Sequence, residues 1–130
     1  MSAELALTGK VIALRYLLGD LASTEELRIK LYKNDITPDE DSVTGDFTEA
    51  TFTGYASILL DDWTRTDASA VHSLCRFTSS ADQTAELLYG YYIVRTSTND
   101  LVAAKRFTGA PYSVEFADDS IAVTPTLEVA

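Results

Sequence analysis

The two side chains that could act as a nucleophile and a general base are the single cysteine, Cys75, and the single histidine, His72. A cysteine nucleophile and its histidine base need side chains within hydrogen-bond reach of each other. The residues from Val71 to Thr78 are typical of one strand, where side chains three positions apart point to opposite faces. We therefore expect no cysteine–histidine pair, and no GxSxG motif indicates a serine nucleophile that would use His72.

The carboxylates also lack a catalytic arrangement. Asp61 and Asp62 diverge if the chain is extended, so they are better explained as a strand-end cap or an exposed loop. Residues 39–46 partly match a calcium loop, but Gly45 is seventh instead of sixth, and Ala50 stands where the bidentate glutamate belongs. One cysteine and one histidine are too few for a zinc site. The sequence predicts no catalytic residue, no metal site and no cofactor, with weak, adventitious calcium binding at most.

Length and charge limit the function classes. The 130 residues are 46% hydrophobic, which suits one folded domain over residues 1–130. Twenty acidic and ten basic residues give a net charge of -10, which repels phosphate backbones and anionic lipids. We therefore expect neither nucleic acid nor membrane as a partner.

The acidic side chains are unevenly distributed. Between Lys33 and Arg65 there is no basic residue, and the acidic residues there are Asp35, Asp39, Glu40, Asp41, Asp46, Glu49, Asp61 and Asp62. This pattern predicts a solvated acidic loop and rim. A docking face for a basic partner, or a loose cation site, is the alternative.

The chain shows no sign of export. A lone cysteine forms no internal disulfide, so nothing demands an oxidising compartment. The N-terminus has no basic leader, and Lys10 and Arg15 interrupt the apolar stretch that follows it. We expect synthesis in a cytosol, where the protein stays at least until whatever it belongs to is released.

The elements that must position these side chains are mostly strands. Apolar residues recur at helical spacing over residues 8–18, which predicts one short amphipathic helix ended by Gly19. Alternation from Leu27 to Lys33 predicts a strand, and residues 34–46 predict an exposed acidic loop. Further strands are predicted over residues 54–60, 71–78, 85–96, 101–107, 112–116 and 121–129. The fold class is mainly β, an antiparallel sandwich or barrel of about six to eight strands with one short N-terminal helix.

The run from Tyr89 to Val94 is apolar or aromatic at nearly every position. It predicts a central strand that is buried on one face and covered on the other. A tyrosine stripe that stacks on sugars or docks a partner is the alternative interpretation.

The segment from Leu27 to Ala56 resembles a pattern found in small structural proteins of tailed bacteriophages. The resemblance lies in the strand ending Tyr32-Lys33-Asn34-Asp35, in Thr37-Pro38, in Asp46-Phe47-Thr48-Glu49-Ala50 and in Phe52-Thr53-Gly54-Tyr55. The strand Tyr89-Gly90-Tyr91-Tyr92 and the later Lys105-Arg106-Phe107 fit the same pattern. With the N-terminal helix, the likeness covers most of the chain.

The resemblance implies a non-enzymatic virion protein with a β-rich body. It implies binding to the major capsid protein or another virion protein, as a capsid cement or decoration protein that forms a homo-oligomer. A small tail- or fibre-associated component and a carbohydrate-binding β-sandwich remain alternatives. Residues expected to act as core or contact anchors are Leu14, Leu17, Phe47, Phe52, Tyr55, Trp63 and Tyr91.

Overall fold

The computed structural model of the chain describes residues 4–5, 26–66 and 69–128. The helix predicted over residues 8–18, with its anchors Leu14 and Leu17, lies outside the described residues. The strands are β1 (Glu4–Leu5), β2 (Leu27–Tyr32), β3 (Ile58–Leu59), β4 (Trp63–Thr66), β5 (Ser69–His72), β6 (Cys75–Thr78), β7 (Glu86–Leu88), β8 (Gly90–Arg95), β9 (Asp100–Arg106), β10 (Tyr112–Val114), β11 (Ser120–Val123) and β12 (Thr126–Glu128).

The strands form one large antiparallel sheet and three smaller ones. The large sheet has the order β1-β9-β8-β2-β3, and the smaller sheets are β12-β5-β4, β11-β6 and β10-β7. Every strand pair is antiparallel. The prediction of a mainly β, antiparallel fold is confirmed, and the strands described do not close into a barrel.

One face of the large sheet packs against the smaller sheets. In β2 the apolar residues Leu27, Ile29 and Leu31 are buried while Arg28 and Lys30 are partly exposed, as the alternation predicts. The main core cluster joins these side chains to buried residues of the smaller sheets, among them Cys75, Phe77, Leu88, Val114, Ile121, Val123 and Leu127. The arrangement is therefore sandwich-like, with the core between two layers.

The strand β8 is buried on both faces. Tyr91 and Ile93 join the core between the layers, whereas Tyr92 and Val94 belong to a second cluster on the outer face of the large sheet. Phe47 covers that outer face, with its ring stacked on Tyr92 at 4.7 Å between centroids. The predicted central strand, buried on one side and covered on the other, is confirmed.

The acidic loop over residues 34–46 is exposed only in part. Its carboxylates face solvent, but Pro38 is buried and Ile36 packs on the outer cluster. Arg106 of β9 bonds Asp35 at 2.6 Å, and the Thr44 hydroxyl donates to the Asn99 carbonyl at 2.7 Å. These two bonds fasten the loop across the sheet. The fastened loop covers the apolar outer face of β8, which would otherwise remain in contact with water.

Several predicted strands are divided into shorter ones. The strand predicted over 71–78 breaks at Ser73 and Leu74, and the one over 121–129 breaks before Pro125, which has no N–H for a ladder. The strand predicted over 85–96 breaks at Tyr89, and the one over 54–60 shrinks to β3. The extra strand β4 forms because Trp63 pairs with His72 in a hairpin.

At Gly90 the backbone of β8 lies close to its neighbours in β2 and β9, so a substitution there tests the register of β8. A Cβ added there would lie 2.5 Å from Tyr32 Oη and closer still to the Lys105 carbonyl oxygen, whereas one added at Gly45 would have nothing within 4 Å. We expect Gly90→Ala to lower the free energy of unfolding by about 2–3 kcal/mol through overpacking. Gly45→Ala is the control and should change it by less than about 0.5 kcal/mol. Urea denaturation would measure both, and equal stability of the two variants would contradict the register.

Candidate functional site

The break between β5 and β6 corrects the expectation that His72 and Cys75 lie on opposite faces. His72 ends β5 and Cys75 begins β6, so the two residues do not share one regular strand. His72 Nδ1 lies 3.6 Å from Cys75 Sγ. The prediction was wrong because it assumed an unbroken strand, and the irregular residues Ser73 and Leu74 reset which way each side chain points.

The hydrogen bonds of His72 define its role. The backbone N–H of Asp62 donates to His72 Nε2 at 3.0 Å, so Nε2 is an acceptor and the proton of the neutral ring lies on Nδ1. Nδ1 in turn donates to the Ser73 carbonyl at 2.8 Å. Since Nδ1 already carries a proton, it cannot take one from the Cys75 thiol. Burial also raises the pKa of that thiol. The hydrogen bond from Asp62 to His72 instead helps to hold the β4–β5 hairpin together.

We expect the Cys75 thiol, which is 3% exposed, to react with a thiol reagent only when the chain opens. Labelling of the native protein should be at least about 100-fold slower than labelling of the urea-unfolded chain at the same pH. His72→Leu removes the acceptor of the Asp62 N–H and leaves the Ser73 carbonyl with only the Cys75 thiol at 3.6 Å, so it should lower the free energy of unfolding by about 2–3 kcal/mol and speed labelling. The exposed neighbour Leu74 supplies the control, Leu74→Ala, which should leave both quantities nearly unchanged. Fast labelling of the native protein would contradict the burial of this cysteine.

A partly buried carboxylate, Glu86, fixes the position of β7. Its carboxylate accepts from the backbone N–H groups of Thr51 and Phe52 at 3.0 and 2.9 Å and from the Thr51 hydroxyl at 2.8 Å. Lys33 Nζ lies 3.3 Å away. Burial by itself would raise the pKa of Glu86, but these hydrogen bonds and the lysine outweigh it and lower the pKa. Because Glu86 pairs with Val114, the clamp also holds β10 in place.

The lowered pKa makes the stability from Glu86 depend on pH. The folded carboxylate binds a proton less readily than the unfolded one, whose pKa is about 4.5, so its contribution is complete above that value and is lost as pH falls through the folded pKa. We expect Glu86→Gln to lower the free energy of unfolding by about 2 kcal/mol at pH 7. The difference from wild type should shrink on acidification. Urea denaturation between pH 7 and 3 would measure it, with the exposed Glu115→Gln as control; a constant difference would contradict the clamp.

The described residues contain a surface cleft between β10 and β11. These strands follow each other along the chain but pair with different partners, β7 and β6, so they diverge instead of forming a hairpin. The cleft has a volume of about 400 Å³. It is lined by Phe107, Thr108, Tyr112, Ser113, Ser120, Ile121 and Ala122.

One wall of the cleft is a fixed aromatic surface. Tyr112 is 46% exposed, yet its hydroxyl donates to the Thr108 carbonyl and its ring lies 5.5 Å from that of Phe107. The Phe107 ring in turn contacts the buried ring of Tyr91, with 6.2 Å between the ring centroids. The exposed ring is thus connected to the core, so a ligand that contacts it meets a preorganised surface.

The turn over residues 115–119 joins the two strands and presents Phe116, which is 58% exposed. The Asp119 carboxylate accepts from the N–H groups of Glu115 and Phe116 at 3.0 and 2.9 Å, and these bonds lower the pKa of Asp119. The remaining N–H groups of the turn are also bonded, those of residues 117, 118 and 119 donating to Asp82, Ser79 and Phe116 oxygens. An exposed aromatic ring therefore stands on a braced backbone.

The surface around the cleft is acidic. From residue 77 to 94 and from 107 to 130 the sequence contains no lysine or arginine. Strands β6, β7, β10 and β11 and the loops that join β6 to β7 and β10 to β11 therefore carry one base, Arg76, which donates to the Ser120 hydroxyl at 3.1 Å. Their acidic residues are Asp82, Glu86, Glu115, Asp118 and Asp119. A partner of this surface meets apolar rings with a negative rim.

The predicted anchors that the structure describes pack into the core. Phe47, Phe52 and Tyr91 are buried, and Tyr55 and Trp63 are partly buried against the main cluster. Tyr55 is also held by hydrogen bonds, since its hydroxyl donates to Glu49 at 2.7 Å and accepts from the Leu31 N–H at 3.3 Å. None of the three buried rings presents a surface to a partner.

The tyrosine stripe of β8 likewise offers no sugar-stacking platform. Tyr91 and Tyr92 are both buried, and burial raises the pKa of Tyr91 to about 12. The neighbouring Tyr89 ring is partly covered by Arg106, whose guanidinium lies 5.2 Å from the ring centre. The stripe serves the two core clusters.

Sequence reasoning missed Tyr112 and Phe116 as surface residues. Both were placed inside the strand predicted over 112–116, where an aromatic residue is ordinarily half buried. The available signal was the turn sequence Asp118-Asp119-Ser120, which begins two residues after Phe116 and puts that ring at the end of its strand. The observed strand ends at Val114, two residues earlier.

Comparisons with protein-family models, with curated proteins and with solved structures found no match. Within the described ranges, no group of three or more histidine, cysteine, aspartate or glutamate side chains is placed to hold a metal ion. Across the same residues, no helix has the length and apolar character needed to cross a bilayer.

Proposed function

We propose that this protein is a structural component of a tailed-bacteriophage virion and binds the capsid shell as a cement or decoration protein. Its partner is the major capsid protein, and its own copies form a homo-oligomer on the assembled particle. The structural observation that carries the proposal is the braced turn over residues 115–119, which exposes Phe116 beside an aromatic-walled cleft.

The resemblance of residues 27–56 to small phage structural proteins supports the assignment of this protein to a phage virion. Most of the residues that carry the resemblance shape the body of the fold. Tyr32 and Phe47 cover the outer face of the large sheet, and Phe52 lies in the core between the layers. The shared pattern therefore describes a scaffold, while the surface that meets a partner lies on other strands.

The geometry of the exposed surface suits adhesion to another protein. Rigid aromatic side chains dominate binding energy at protein interfaces, because they bury a large area and lose little entropy on binding. Phe116, Tyr112 and Leu87 are each more than 40% exposed, and Leu87 lies opposite Ser113 of the cleft in the β7–β10 pair. Tyr112 and Phe116 are exposed rings on β10 and on the turn that joins it to β11, whereas Leu87 lies on the other face of the β7–β10 pair from Tyr112.

The physics of a shell makes such a modest surface sufficient. A cement protein contacts a lattice of identical subunits, so weak contacts that are held together in one cluster add up to firm attachment. The net charge of -10 keeps decorated particles from associating with one another. Both features agree with a role on the outside of a particle.

The test is addition of the purified chain to expanded capsids assembled from the major capsid protein of the same phage. We expect co-sedimentation with the capsids, saturation at a fixed ratio of copies to capsid subunits, and a rise in the capsid melting temperature. The same chain unfolded and refolded under conditions that trap aggregates serves as the control for non-specific adhesion. Absence of both binding and thermal shift would reject the capsid assignment.

Imaging of virions that carry the labelled protein distinguishes the shell from the tail. Label distributed over the capsid agrees with the cement role. Label confined to the tail or its fibres would assign the same adhesive surface to a tail-associated component instead.

A further inference from the structure

The turn over residues 115–119 has the properties of an anchor that enters a partner. Its Phe116 ring is 58% exposed, although such a ring gains about 2–3 kcal/mol from burial. Five consecutive backbone N–H groups of the turn are bonded, and Asp118 is held at a φ of 71°. A positive φ is uncommon outside glycine, and aspartate is among the residues that adopt it most readily.

The bracing comes from the loop between β6 and β7. Ser79 is buried, its carbonyl accepts from the Asp118 N–H at 2.9 Å, and its own N–H donates to the Asp119 carbonyl at 2.8 Å. Gln83 adds a bond from its N–H to the Glu115 carbonyl at 2.8 Å. The turn therefore keeps its shape without a partner, so little entropy would be lost when Phe116 is buried on binding.

Charge decides which kind of partner fits. Glu115, Asp118 and Asp119 flank the ring within three residues, and strands β6, β7, β10 and β11 supply only Arg76 as a base. A two-fold contact between this turn and the same turn of a second copy would bring the same carboxylates face to face, which disfavours that contact. A pocket rimmed by lysine or arginine would be attracted to them.

We propose that the 115–119 turn inserts the Phe116 ring into an apolar pocket of the partner protein, and that lysine or arginine side chains on the rim of that pocket face Glu115 and Asp118. This inference rests on the proposed function, which supplies the capsid shell as the partner. The edge of the same pocket contacts Tyr112, on the wall of the cleft beside the turn.

Phe116→Ala tests the apolar part in the capsid-binding assay. We expect the dissociation constant to rise about 30-fold, as for an interface residue that fills a pocket. Val43→Ala is the matched control, because Val43 is also 58% exposed but lies in the loop over the outer face of the large sheet. The urea midpoint of each variant should equal that of wild type, since neither side chain is in the core.

The double variant Glu115→Gln with Asp118→Asn tests the basic rim. Asparagine accepts the left-handed backbone conformation at position 118, and Asp119 is left in place because it braces the turn. We expect about 3- to 10-fold weaker binding at low salt and a smaller loss of affinity between 50 and 300 mM NaCl than wild type shows. Asp41→Asn with Asp61→Asn removes the same charge from exposed positions elsewhere and should leave binding near wild type.

The outcomes separate this inference from the proposed function. If the wild-type chain binds capsids and Phe116→Ala binds them as tightly as Val43→Ala does, the inference is overturned and the capsid role stands. Wild-type affinity that does not change with salt would overturn the basic rim. No wild-type binding at all would overturn the proposed function and this inference with it.

Discussion

The structure depends on the burial of β8 on both of its faces. A strand whose side chains are apolar in both directions is stable only if each face is covered, because exposed rings and branched side chains would remain in contact with water. Tyr91 and Ile93 require the smaller sheets on one side, and Tyr92 and Val94 require a cover on the other. Burial of β8 therefore requires a cover on each side of the large sheet.

The two covers are built differently. The inner cover consists of short strands that pair in small sheets, and the outer cover includes the loop that carries Phe47 and is fastened by Arg106 to Asp35. Short strands bury fewer backbone hydrogen bonds among themselves, so carboxylates such as Glu86 and Asp119 complete the backbone bonding at their ends. The same need for completion braces the turn that exposes Phe116.

The candidate site is a consequence of this division into small sheets. Because β10 pairs with β7 and β11 pairs with β6, consecutive strands separate and leave a cleft between them. A single continuous sheet would have closed that space and turned residues 115–119 into an ordinary hairpin loop. The surface proposed to bind the capsid thus arises where the inner layer is discontinuous, and its acidic rim reflects the scarcity of basic residues in that part of the sequence.

The sequence by itself determined the fold class, the alternation in β2, the double burial of β8 and the charge of the surface, since each of these depends on residue type and local period. Only the tertiary structure decided that His72 and Cys75 come within 3.6 Å of each other and that Phe116 faces solvent instead of the core. Both depend on where strands break, at Ser73–Leu74 and after Val114, and a break is set by which backbone groups find partners on distant strands. Periodicity along the chain contains no information about those partners, so strand ends and the surface built on them could not be predicted from it.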